Sequence, residues 1–329
     1  MLEIHLSGTC DENVVLDRGN VHILAAPGAT LRGGLRLESA LPSVTAGIGG
    51  PVRIEGLTIL NAPELGLLVA GGRVLDGVGL QILDSGTGGA VVANNAVASC
   101  RDCTIAGSGT TGLSAFSGAS VVLVGQTSIS DNGEAGALVG NNASLEMGTA
   151  GDDGSGGHEV VLDRNGGDGI TVYDGGSLFT FAGSALRLRD NGTAPGSFGS
   201  GLLVGTGASA LLNGSTEASR NDVGLFVVAG KALIFGPLVA DANDFGLFTR
   251  GNGALRLLGA GPHSISASTF GVLARDGTLE LANVTFGGSS VVDINLAFGA
   301  QVRYLGPVVA ASVFCDGTVL TTGVGPACP

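Results

Sequence analysis

A chain of 329 residues with 60 glycines, 44% apolar residues, 13% charged residues and no tryptophan lacks the vocabulary of a helical or ordinary α/β protein, and its glycine content is far below the one-third of collagen. The formal net charge of −13 argues against binding to nucleic acid or to an anionic membrane, which needs clustered Lys and Arg. No apolar run approaches the length of about 18 residues needed to span a bilayer, so membrane insertion is not expected.

Met1-Leu2-Glu3-Ile4 runs straight into a strand-like pattern, without a cleavable signal. A secreted or cell-surface protein is therefore expected to have a signal that is not part of this chain. Residues 1–65 read as N-terminal coils: "VHILAAPGATLRGG" and "VRIEGLTILNAPELG" alternate apolar and polar positions between Gly-rich breaks.

From Gly66 a phrase of Gly, apolar, any, apolar recurs at Gly89, Gly112, Gly136, Gly169, Gly201, Gly224, Gly246 and Gly271, with a degenerate copy at Asp293. Most copies lie about 23 residues apart, and a fixed period of this size marks a stacked repeat. Residues 66–300 form the regular coils, with insertions near 148–158 and 191–201. Side chains alternate in a strand, so the column from Leu67 to Ile294 and the column from Val69 to Leu296 face the same interior. A second strand follows a Gly or Asn corner, with inward pairs such as Val121 and Leu123, Leu145 and Met147, and Leu233 and Phe235. A third strand precedes the next glycine. Three short strands and three corners per coil describe an all-β right-handed parallel β-helix of roughly 13 coils in a single domain spanning 1–329.

Asn132, Asn165, Asn221 and Asn243 recur just ahead of coil openings and are read as turn residues or a short asparagine ladder. The glycines are assigned to turns that need positive φ. Residues 301–329 form a last coil and cap, where Cys315 and Cys328 flank the final turn and would pin it if oxidised. Cys100 and Cys103 form a lone CxxC, with Cys100 on an inward column, and read as small buried hydrophobes. Cys10 has no evident partner.

The period, the "GLxV…GxSLxL…SxN" grammar, the opening "SGTCDENVVL…APGATLRGG" and the closing "CDGTVLTTGVGPACP" resemble bacterial secreted right-handed β-helix proteins of the pectin-lyase-like superfamily. That resemblance implies architecture and secretion, and its members include polysaccharide lyases, hydrolases and adhesins.

No cofactor is called for. Asp152 and Asp153, in the first insertion, are weak calcium candidates, because calcium takes oxygen ligands. Between the two inward columns an outward one carries Leu203, Phe226, Phe248 and Leu273 on successive coils, an apolar stripe of the kind that marks an interface. The next outward column holds Tyr173, Arg250 and Arg275 with Asp174 and Asp276 at corners, the best polar groove for an enzyme. His5, His22 and His263 stand isolated in the sequence.

An outer face that is apolar where an enzyme's should be charged leads to the expectation of a non-catalytic extracellular structural, adhesive or assembly module. Its partner would be another subunit, a surface or a polysaccharide, with homo-oligomers allowed. The alternative is a polysaccharide lyase, a glycoside hydrolase or a sugar-binding β-helix.

Overall fold

The computed structural model describes residues 1–38, 50–149, 157–195, 198–259, 261–266 and 268–328. Its strands form three parallel sheets. Sheet A has 14 strands, from Leu2–Leu6 to Leu320–Thr322; sheet B has 13, from Thr9–Cys10 to Val308–Val309; sheet C has 13, from Val14–Leu16 to Val313–Cys315. Hydrogen-bonded neighbours in each sheet are three strands apart in sequence, so every coil visits A, B and C in turn. This is the right-handed parallel β-helix expected from the repeat. Residues of the first inward column, such as Leu113, Ala137, Ile170 and Leu202, are at most 3% exposed and sit in register on successive coils.

The corner between sheets B and C carries a buried asparagine ladder. Asn132 donates through Nδ2 to Oδ1 of Asn165 (2.9 Å), Asn165 to Asn191 (2.9 Å), Asn191 to Asn221 (3.0 Å) and Asn221 to Asn243 (3.3 Å). The Oδ1 of Asn165, Asn191, Asn221 and Asn243 each also accepts the backbone N–H of the asparagine one coil earlier, as Asn221 does from Asn191 (3.0 Å). Asn221 Nδ2 further donates to the Leu188 carbonyl (3.0 Å). Asn191 belongs to the ladder although the second insertion, which follows it directly, hides its place in the repeat.

Close packing between coils at this corner also explains the opening glycines, and not in the way expected. None of them has positive φ. A Cβ at Gly112 would instead lie 2.6 Å from Asn132 Nδ2 and 2.8 Å from the Gly136 carbonyl. The glycine is there because backbone and amide approach too closely for any side chain. The left-handed corner residues are elsewhere, including Gly118 (φ 74°), Asn142 (φ 61°) and Gly207 (φ 69°).

One sheet A strand differs in register from the expectation. Ala232 and Ile234 face the core, while Leu233 points outward and Phe235 is 43% exposed. In that coil a single left-handed residue, Ala229 (φ 55°), makes the corner where other coils use two, such as Ser117 (φ 54°) and Gly118 (φ 74°), and the shorter corner shifts the whole strand by one. A one-residue slip exchanges the two faces of a strand.

Disulfides join Cys315 to Cys328 near the C-terminus, as expected, and Cys100 to Cys103, a pairing the sequence left open. Cys10 is free and exposed, and its thiol contacts Glu12 Oε1 (2.9 Å). Asp152 and Asp153 lie outside the described residues. His263 is fully buried in sheet B, opposite Val284, and neither of its ring nitrogens has a hydrogen-bond partner among the described residues. Burial pushes its pKa below the ordinary histidine value.

Two outcomes follow from these interiors. Asn221→Ala leaves several buried groups unpaired, each worth about 1–3 kcal/mol, so the Asn191 amide should exchange with deuterium about 100-fold faster while amides several coils away keep their protection. Because His263 is harder to protonate in the folded state, the unfolded chain binds more protons just below pH 6.5. Stability should therefore fall as pH drops through that value, and the parent should lose more urea resistance between about pH 7 and 5.5 than His263→Leu does.

Candidate functional site

Sheet A near the N-terminus collects a polar cluster from four strands. The segments LEIHL, VHILA, VRIE and VLDGV alternate inward apolar and outward polar residues, and parallel register aligns Glu3, His22, Arg53 and Asp76 in one outward column. Glu55 stands two residues along from Arg53, beside Leu24 of the neighbouring strand. His22 Nε2 lies 2.9 Å from Glu55 Oε1, Arg53 Nε donates to the same oxygen (2.6 Å), and Arg53 Nη1 donates to Asp76 Oδ2 (2.8 Å). The hydrogen bond from Arg53 and that from His22 hold the Glu55 carboxyl below its usual pKa, so it is ionised at neutral pH. The His22 side chain is 19% exposed and that of Arg53 44% exposed, which presents the imidazole at the foot of a guanidinium. His5, on the first strand, contacts Glu3 instead (2.6 Å).

The groove read from the sequence is divided by the structure. Arg250 and Arg275 are exposed on adjacent strands of sheet C. Tyr173 sits three coils earlier in the same column, about 14 Å away at the strand spacing, with its ring against Gly140. Asp174 (φ 45°) and Asp276 (φ 46°) are left-handed corner residues, and Asp276 Oδ1 accepts the Gly251 N–H (2.8 Å). The two arginines therefore stand together without a nearby base from this set.

Leu203, Phe226, Phe248 and Leu273 do point away from the solenoid core, but three of them are covered. Phe226, Phe248 and Leu273 are 5%, 8% and 4% exposed, in a second apolar cluster with Val223. Phe226 stacks on Phe248 (4.7 Å, 13°), Phe245 on Phe270 (5.3 Å, 6°), and Phe198 from the second insertion meets Phe226 edge-on (6.2 Å). A shallow cavity of ≈ 370 Å³ remains, lined by Phe198, Phe226, Phe245, Phe248, Leu273 and the two arginines.

Sheet B and the corner that follows it present alternating charge. Arg164 grips Asp131 (2.8 and 2.9 Å), Arg220 grips Asp190 (2.7 Å at both oxygens), and Glu217 is bound by Arg187 and Arg189. Hydrogen bonds from these arginines push Asp131, Asp190 and Glu217 below their usual values. Carboxylates held this way are poor proton donors. Among the described residues, no three His, Cys, Asp or Glu side chains gather as metal ligands.

No family model and no curated protein matches the chain. Among solved structures it is similar to the A-module of the mannuronan C-5 epimerase AlgE4 of Azotobacter vinelandii, with a TM-score of 0.50, 14% identity, and coverage of 99% of this chain and 90% of that one. The shared fold is a parallel β-helix. The β-helix is also similar to the catalytic unit of a GH87 α-1,3-glucanase from Streptomyces thermodiastaticus (TM-score 0.48, 12% identity, 98% of this chain and 62% of that one). An alginate lyase from Paenibacillus has a TM-score of 0.34 at 12% identity, covering 92% and 93%.

These findings overturn the expectation of a non-catalytic structural, adhesive or assembly module. The AlgE4 A-module, which shares the β-helix over 99% of this chain, carries the name of a polysaccharide enzyme. The physical ground of that expectation also fails, because the stripe is largely buried within the chain and a polar cluster occupies another outer face.

Sequence reasoning missed His22 because its partner Glu55 lies 33 residues away, in coils that precede the regular repeat. The available signal was the outward polar position in successive LEIHL, VHILA and VRIE strands. If the phenylalanine cluster is an internal second core, Phe226→Ala should cost about 3 kcal/mol, in the range of a buried phenylalanine, and Phe198→Ala about 1 kcal/mol or less; urea denaturation of the two variants reads the difference.

Proposed function

We propose that this β-helix is an enzyme of acidic polysaccharides that removes the proton next to a uronate carboxylate, with His22 as the base. The observation that carries this reading is the His22, Glu55 and Arg53 constellation on sheet A. An ionised carboxylate only accepts hydrogen bonds, so Glu55 fixes the proton of His22 on Nε2 and leaves the Nδ1 lone pair to take a proton. Arg53 spends Nε and Nη1 on Glu55 and Asp76, and its remaining N–H groups are available for a substrate carboxylate. Neutralising that carboxylate stabilises the charge that develops when the neighbouring C–H bond breaks.

The chemistry then has two balanced continuations. The electron pair can form a C=C bond and expel the oxygen on the next carbon, which breaks the glycosidic bond while that oxygen takes up a proton from water, as in a lyase. It can instead recapture a proton on the opposite face, which inverts the carbon and leaves the chain intact. The mannuronan C-5 epimerase module that shares the fold fits this class of reaction. Glycoside hydrolysis is supported less well, since it needs one protonated carboxyl beside a free carboxylate, and the acidic pairs of sheet B are clamped by arginines. A polymeric extracellular substrate goes with secretion.

The test is incubation with polymannuronate and polygalacturonate in D₂O, following absorbance of unsaturated uronides and solvent deuterium in the sugar by NMR. Wild type should give one of the two signals. His22→Ala should lower its rate by about 100-fold or more, and Arg53→Ala should lower it too. Absence of both signals on these polymers in the wild type, or full activity of folded His22→Ala, would overturn the proposal.

A further inference from the structure

Most arginines in this acidic protein are already neutralised. Arg53, Arg164, Arg187, Arg189, Arg220, Arg256 and Arg303 each lie within ion-pair distance of an Asp or Glu. Arg250 and Arg275 are different. Both are exposed, neither is within ion-pair distance of a carboxylate among the described residues, and each lies over a phenyl ring instead: Arg250 5.2 Å from the Phe226 centroid and Arg275 5.8 Å from that of Phe298. A ring under the guanidinium plane fixes its orientation and leaves the N–H edge free for an anion.

The rings are held deliberately. Phe226 is locked by its stack on Phe248. Phe298 is 66% exposed and sits in the left-handed region (φ 56°), at a corner that other coils fill with small or polar residues such as Asn94, Ser117, Asp174 and Ala229. A bulky residue in that conformation is strained and is retained where its position matters. Between the two arginines and Phe198 lies the cavity of ≈ 370 Å³, so unpaired positive charge and exposed ring faces meet in one hollow.

We propose that this hollow on sheet C binds an anionic oligosaccharide, at a site separate from the sheet A cluster. The guanidiniums would hold carboxylates or sulfate esters bidentately, and Phe198, Phe245 and Phe298 would lie against the C–H faces of the sugar rings. The successive arginines are one coil apart, about 4.8 Å, which is close to the length of one sugar residue in a chain. A neutral sugar would leave both guanidiniums unused, and an apolar protein surface would bury them unpaired, so an anionic sugar is the occupant that satisfies every part of the hollow.

The binding is measured by isothermal titration on full-length protein carrying His22→Ala, so that turnover at sheet A does not consume the ligand. The probes are an oligomannuronate, a sulfated galactan oligomer and a neutral cello-oligomer. One or both anionic probes should bind and weaken as salt is raised, and the neutral oligomer should not; which anionic probe binds identifies the group recognised. Adding Arg250→Ala with Arg275→Ala should weaken binding at least about tenfold, and Phe198→Ala should weaken it without changing the salt dependence. Both arginines are exposed, so unchanged circular dichroism separates lost binding from lost fold. Equal binding with and without the arginines would overturn the proposal, as would no preference for the anionic probes. Self-association seen by light scattering that disappears with Arg250→Ala and Arg275→Ala would assign the hollow to a second copy of the chain instead. Inactivity of the wild type at sheet A would leave the titration result standing, so the two proposals fail separately.

Discussion

The asparagine ladder is the constraint on which the rest of the β-helix depends. A buried amide has two donors and an acceptor oxygen that must all be used, and only a partner placed identically on the next coil can use them. The ladder links Asn132 to Asn165, Asn165 to Asn191, Asn191 to Asn221 and Asn221 to Asn243 across sequence gaps of 33, 26, 30 and 22 residues. Extra residues leave the repeat without moving that corner. The same corner excludes a side chain at the coil-opening glycine, and from Gly112 to Gly224 the glycine and the ladder asparagine are two sides of one contact.

Alternation and period were legible because a strand's two faces answer to different solvents. The inward columns could be superposed directly from Leu113 to Leu202, and four of the ladder asparagines stood out at one position in the repeat. Ala229 was not legible as a corner: alanine is a poor left-handed residue, and only the hydrogen-bonded neighbours of its coil reveal that the turn is one residue short. Asn191 was hidden by the adjoining insertion. The outward pairing of His22 with Glu55 was invisible for a deeper reason, since the length between coils decides which outward residues meet, and that length varies before Gly66.

Burial also cannot be read from direction alone. Phe226 and Phe248 point outward from sheet C, as the alternation requires, yet they form a second apolar cluster with Val223 and Leu273 under Phe198. In a solenoid an outward stripe of large rings at one-coil spacing packs against itself, because ring faces on neighbouring strands approach to stacking distance. The apolar stripe thus becomes a wall, and what it offers to solvent is its rim of Phe198, Arg250 and Arg275.

Arginine pairing then separates structural charge from available charge. At the corner after sheet B the guanidiniums and carboxylates of Arg164 with Asp131 and Arg220 with Asp190 satisfy each other on the surface, where such pairs add little stability and suppress each other's chemistry. On sheet A Arg53 is shared between Glu55 and Asp76 but keeps donors free beside an imidazole, and on sheet C Arg250 and Arg275 keep all of theirs. Because both faces are carried by one rigid solenoid, a long polymer engaged at the sheet C hollow would be held near the sheet A cluster at high effective concentration, with no conformational signal between them. The rigidity that makes the interior so regular is what lets the two outer faces differ.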